Sequence, residues 1–131
     1  TVSTVEQVLQ DRILMIQSVA AREEFLKYAY DSEQIGKMLE TESKRLGFRK
    51  IYMANLEGTL KLEESYEDTS KEPVFLAALK GETTYSAPMK KGADTIISLA
   101  TPVTNQAGNI IGVLMATQEL EDFTKFIQVI I

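Results

Sequence analysis

Residues 94–120, DTIISLATPVTNQAGNIIGVLMATQEL, constrain what this chain can fold into more than any other stretch. Two runs rich in Ile, Val, Leu and Thr, 95–103 and 110–118, flank the polar connection Asn105-Gln106-Ala107-Gly108. Such runs suit a pleated, half-buried surface, and a turn ending in glycine supplies a residue that tolerates positive φ. Parallel strands need a crossover of roughly a dozen residues, so a connection this short predicts an antiparallel hairpin. Pro102 marks a place where the first strand ends or bulges, because proline cannot donate to a ladder. Gly112 marks a bulge or a close approach of another group to the backbone. The hairpin is expected to form the central pair of a sheet on which everything earlier packs.

The chain before it begins helically. Apolar residues at Val2, Val5, Leu9, Ile13, Ile16 and Ala20 recur every three or four positions, the signature of a long amphipathic helix. Glu6, Gln7, Asp11, Arg12 and Gln17 form its polar face and are expected to be solvated. A helix of about twenty residues can outreach a domain of this size, so its stripe is also a candidate seam for pairing with a second copy. Asp31-Ser32 interrupts the pattern, and Ser32 is placed to cap a second helix carrying Ile35, Met38, Leu39 and Leu46, closed by Gly47. The period then changes from 3.6 to 2. Strands are predicted over 48–54, 59–62 and 83–87, with a polar surface loop over 63–72 and a turn at 90–94. Pro73 opens and Gly81 stops a short helix over 73–80. A final helix over 119–131 places Leu120, Phe123, Ile127 and Ile130 on one face. The predicted fold is α+β, one domain over 1–131: a helical segment to residue 46, sheet and short helix over 47–118, and a C-terminal helix. The sheet is expected to be antiparallel with about five strands, helices gathered mainly on one face.

Composition matters mainly through what it removes. With neither cysteine nor histidine, thiol chemistry, disulfides, Cys/His zinc sites and imidazole base catalysis are all excluded. A net charge of −5 argues against a nucleic-acid footprint, which needs clustered Lys and Arg. No apolar run approaches the roughly 20 residues that span a bilayer. The chain nonetheless starts and stops inside helical patterns, as an excised domain would, and 126–131 has the character of a span beginning or of an ordinary helix end.

Taken together, LGFRKIYMANLEG, EPVFLAALKGETTYSAPM and IISLATPVTNQAGNIIGVLMATQELEDF resemble the Cache family, PAS-like sensor modules found outside the membrane in bacterial and archaeal receptors. The resemblance rests on Asn55 to Gly58 ending a strand, Pro73 to Gly81 as the short helix, Ser86 to Pro88, and Pro102 to Val113 as the hairpin, in that order. It implies a PAS-like five-stranded antiparallel sheet with a long N-terminal helix and a short C-terminal helix. It also implies the ligand-sensing domain of a membrane receptor of histidine kinase, chemotaxis or cyclase type, tied to the membrane through flanking segments. The alternative is a dimerisation or interaction module of the same fold with no ligand. An enzyme ranks behind both, because no carboxylates pair inside an apolar segment.

Such receptors bind small ligands between the sheet and the loops around the short helix. The candidate ligand residues by position are Tyr66, Lys71, Phe75, Tyr85, Ser98 and Thr117, with no metal and no cofactor implied. Tyr52, Tyr66, Phe75 and Tyr85 offer aromatic walls, although such residues more often pack a core. Lys71 could pair with a ligand carboxylate, and the hydroxyls of Ser98 and Thr117 stand on the hairpin. The acidic residues of 63–68 lack the spacing of an EF-hand loop and read as solvated. Amino-acid-binding members of the family carry an Arg before the proline of the short helix, an aromatic after it and an Asp late in the last strand. Glu72, Val74 and Thr117 stand at those positions here, which points to a small neutral or cationic ligand, or none.

Overall fold

The structure, a computed structural model, describes residues 2–62 and 65–122. Helix α1 (Val2–Ala20) is followed by the short α2 (Glu24–Lys27) and by α3 (Glu33–Leu46). Strands β1 (Lys50–Ala54), β2 (Thr59–Lys61) and β3 (Tyr66–Asp68) precede helix α4 (Pro73–Leu79). Strands β4 (Thr84–Tyr85), β5 (Met89–Lys91), β6 (Asp94–Thr104) and β7 (Ile110–Glu119) complete the chain order. The sheet runs β3-β2-β1-β7-β6-β4, with β5 also on β6, and every pairing is antiparallel.

The predicted hairpin is its centre, in register from Ile96–Glu119 to Thr104–Ile110. Asn105 Oδ1 accepts from the backbone N–H groups of Ala107 and Asn109, and Gly108 takes φ 86°. The same device closes β1 onto β2: Asn55 Oδ1 accepts from Glu57 and Thr59, and Gly58 takes φ 87°. Pro102 stays inside β6 because β4 has ended by then, pairing only with Leu99 and Ala100, so no ladder partner needs the missing N–H. A bulge falls between Val103 and Thr104. Gly112 is a place of close approach, since a side chain there would meet the Met53 methyl and sit 3.0 Å from the Ala54 carbonyl oxygen, and the bulge falls beside it, after its pairing with Val103.

Two segments differ from expectation. β3 lies within the stretch read as a loop and β5 runs into the one read as a turn, so the sheet has seven strands among the described residues, β3 and β5 being three-residue edge pieces. Arg12, placed on a solvated face, is 4% exposed. It stands four residues from both Val8 and Ile16 and therefore shares their buried stripe. Burial pushes its guanidinium down to about 10, still cationic at neutral pH, where it lies 3.9 Å from the Phe48 ring centre and donates to Gln118 Oε1 at 2.6 Å. Gln118 in turn donates to the Gly47 carbonyl, where α3 ends with φ 76° after starting on its Ser32 cap. This polar tie joins α1, the end of β7 and the α3 terminus.

Leu9 and Ile13 of the expected pairing stripe pack against the core beneath α1. The side chains of Val2 and Val5, and the predicted helix beyond Asp122, fall outside what is described.

Candidate functional site

Alternation along the strands divides the sheet into two faces. On one, Ile51, Met53, Ile97, Leu99, Val103, Leu114 and Ala116 join Val8, Ile16, Val19, Ile35 and Leu39 in a core beneath α1 and α3. On the other, Ala54, Leu60, Ala100, Val113 and Met115 meet Val74, Phe75 and Ala78 of α4. Pro73 starts α4, and the segment before it is pinned to the β1–β2 turn. Thr69 donates to the Gly58 carbonyl through both N–H and hydroxyl, so closely that a Cβ at Gly58 would lie 2.6 Å from Ser70 Cα.

Seven residues of helix cannot cover this face. Across the central strands, Tyr52, Met115 and Ala100 form one row, joined by Thr84 on β4. The next row on the same face is Lys50, Thr117 and Ser98, two hydroxyls and an ammonium where an apolar layer would otherwise continue. Ser98 is buried, its backbone N–H held by Ser86 Oγ at 2.9 Å. Thr84 Oγ1 is buried with no hydrogen-bond partner among the described residues. Glu67 on β3 and Lys91 on β5 form an ion pair at 3.9 Å. The Glu72 carboxyl, at the α4 N-cap but making no capping bond, is raised by burial and then by Glu67, partly offset by Lys91. Burial first and Glu67 second raise the Tyr52 hydroxyl against a lowering influence of Arg49. Tyr52, Glu67, Glu72 and Lys91 thus form one electrostatic group, with the Lys50 ammonium beside it, 5.8 Å from the Tyr52 ring centre.

Of the sequence candidates, Ser98 and Thr117 are direct cross-strand partners on this face. Phe75 lies beneath α4, 1% exposed and wholly within apolar packing. Lys71 is exposed in the loop before α4, adding last and least to the lowering of the Asp68 carboxyl that hydrogen bonds from Ser70 produce. Tyr66 and Tyr85 point the other way. Tyr66 pairs with Lys61, whose neighbour Leu60 is the residue aimed at α4, and Tyr85 pairs with Leu99 of the helix-side core. The structure adds Glu67, Glu72, Lys91 and Thr84 to the face. Glu67 and Lys91 carried no legible signal, since three-residue strands are too short to show alternation.

No protein-family model matches the sequence, and no curated protein is detectably similar to it. Solved structures are similar in fold. The sensor domain of Escherichia coli DcuS is 19% identical with a TM-score of 0.77, the match covering 96% of this chain and 98% of that one. The ligand-binding domain of the Pseudomonas aeruginosa amino acid chemoreceptor PctC, in complex with GABA, is 21% identical with a TM-score of 0.73, covering 95% and 61%. That of the P. aeruginosa chemoreceptor PctB, in complex with L-Arg, is 25% identical with a TM-score of 0.69, covering 95% and 55%. The chain thus spans little more than half of the chemoreceptor domains and nearly all of the DcuS one. It shares the PAS-like Cache fold of these sensor and ligand-binding domains. Among the described residues, no helix is long and apolar enough to cross a membrane.

Proposed function

We propose that the chain is the extracytoplasmic ligand-sensing domain of a membrane-bound signal-transduction receptor, and that it takes a small neutral or cationic molecule on the α4 face of the sheet. One observation carries the ligand class: Glu67 and Glu72 gather with Tyr52 one residue row from Thr117 and Ser98, with Lys91 as the ammonium among them. A ligand ammonium replaces the repulsion between those carboxylates with two attractions. A ligand carboxylate about 4 Å from Glu72 meets repulsion on the order of 4 kcal/mol at the effective dielectric of near-surface sites. One or two neutral hydrogen bonds, at about 1 kcal/mol each, do not offset it. GABA and L-Arg, bound by PctC and PctB, each carry an ammonium, and each also carries the carboxylate that Glu72 disfavours here. Ser98, Thr117 and the Thr84 hydroxyl supply the neutral polar contacts.

A thermal-shift screen of amines, neutral polyols, amino acids and dicarboxylates tests this. Amines or neutral compounds are expected to stabilise the domain. Glu72→Gln should abolish the response to amines, and Thr117→Val should weaken it without lowering the melting temperature of the free protein. Stabilisation by dicarboxylates alone would overturn the ligand class. Stabilisation by amino acids that is lost in Lys71→Ala would show that Lys71 recruits their carboxylate.

A further inference from the structure

A second concavity of about 420 Å3 lies between α3 and the outer edge of β1, reaching round that edge to Lys50 and Tyr52. It exists because β2 leaves β1 early. Lys50 to Met53 are paired with β7 on one side, whereas β2 joins β1 only at Ala54–Leu60, and the chain turns off at Leu62. The volume falls within the roughly 300–1,000 Å3 of small-molecule sites.

Its floor is apolar, formed by Ile35 and Leu39 of α3 with Phe48 and Ile51 at the start of β1. Its rim is cationic: five Lys or Arg side chains line it against three carboxylates, in a chain whose net charge is −5. Four of the five cations are engaged. Lys37 pairs with Glu33 at 3.1 Å and Lys44 with Glu40 at 3.2 Å, while Arg49 faces Asp94 and Glu119. Lys61 donates to the Asp31 carbonyl at 3.1 Å. Lys50, 5.8 Å from the Tyr52 ring centre, has no carboxylate partner among the described residues.

Gly36 gives an independent sign. It stands inside α3 and on the groove wall, and a Cβ built on it meets nothing within 4 Å. Glycine in a helix interior costs roughly 1 kcal/mol relative to alanine. Packing within the domain therefore gives no reason for it, whereas a chain lying along the groove would run over this bare turn.

We propose that the groove between α3 and the open edge of β1 is a second ligand site, taking an amphipathic carboxylate whose apolar chain lies over Ile35, Leu39 and Gly36 and whose carboxylate meets Lys50. Apolar burial supplies the affinity and the ammonium supplies the sign of charge accepted.

Octanoate, octylammonium and octanol serve as probes in calorimetric titrations of the intact domain. Octanoate should bind at millimolar concentration or below and octylammonium should not. Lys50→Met should weaken octanoate by about tenfold or more while leaving octanol unchanged. Gly36→Phe, whose side chain enters open space without disturbing the core, should abolish binding of octanoate and octanol in a protein that melts no lower than the wild type. The amine response of the α4 face, read in the same Gly36→Phe protein, should persist, so failure of one site is distinguishable from failure of the other. Equal binding of octylammonium and octanoate, unaltered octanoate binding in Gly36→Phe, or no heat with octanoate would each overturn the proposal.

Discussion

On the helix side of β6 and β7, Ile97, Leu99, Val103, Leu114 and Ala116 are sealed under α1 and α3, and even the cation there, Arg12, is enclosed and hydrogen-bonded. On the opposite side of the same two strands, Ser98 and Thr117 stand in a polar row that the seven residues of α4 leave outside its apolar cluster. Adjacent residues of one strand thus face opposite ways, an apolar core on one side and a polar row on the other. The α4 side carries a Thr84 hydroxyl with no hydrogen-bond partner among the described residues and a carboxyl at Glu72 that burial and a like charge disfavour. Polar groups left unsatisfied by the protein are the ones a ligand can satisfy.

Three substitutions break or sharpen this contrast. Leu114→Ala empties a fully buried position on the closed face and should cost about 2–5 kcal/mol, the range for Leu→Ala in cores, as a lowered urea midpoint with unchanged slope. A cost below about 1 kcal/mol would mean that face is not tightly packed.

Arg12→Met should cost less, about 1–3 kcal/mol, because it leaves the buried Gln118 Oε1 without its 2.6 Å donor. Adding Gln118→Leu should recover part of the loss, since replacing both partners removes the orphaned acceptor, and Gly47, whose carbonyl loses its donor, is an exposed residue. Additive losses in the double variant would show that the two side chains are not coupled.

The smallest effect belongs to the open face. Because the Glu72 carboxyl is raised in the folded state, the fold holds its proton more tightly than the unfolded chain does. That stabilisation is full below the unfolded value of 4.5 and is lost as pH rises through the folded one. At neutral pH the ionised carboxylate is a standing cost, so Glu72→Gln should raise stability there by roughly a few tenths of a kcal/mol after solvent screening. The gain should shrink toward pH 4.5 and vanish below it. Melting curves at pH 7 and pH 4 decide, and a gain that grows on acidification would reverse the sign of the argument.

How much could be read without coordinates follows from segment length. The β6–β7 hairpin, α3 between Ser32 and Gly47, and α4 between Pro73 and Gly81 announced themselves through long periodic runs or through caps whose chemistry is local. Ser98 and Thr117 were legible because they interrupt an otherwise apolar pair of strands. Tyr66 and Tyr85 were drawn in by residue type alone, and only register shows which way they point. Glu67 and Lys91 sit on three-residue edges where no pattern can form.

The sequence by itself determined the antiparallel hairpin, the two punctuated helices, the exclusion of thiol and imidazole chemistry, and the hydroxyls on the central strands. Each follows from local rules of turn geometry, capping and side-chain chemistry, which need no distant partner. Only the tertiary structure decided that Arg12 is interior, that Glu67 on β3 reaches Lys91 on β5, and that β2 peels from β1 to open a groove beside Gly36. Those facts depend on which surfaces of distant segments meet, and burial, pairing and charge coupling are properties of the meeting and not of either segment alone.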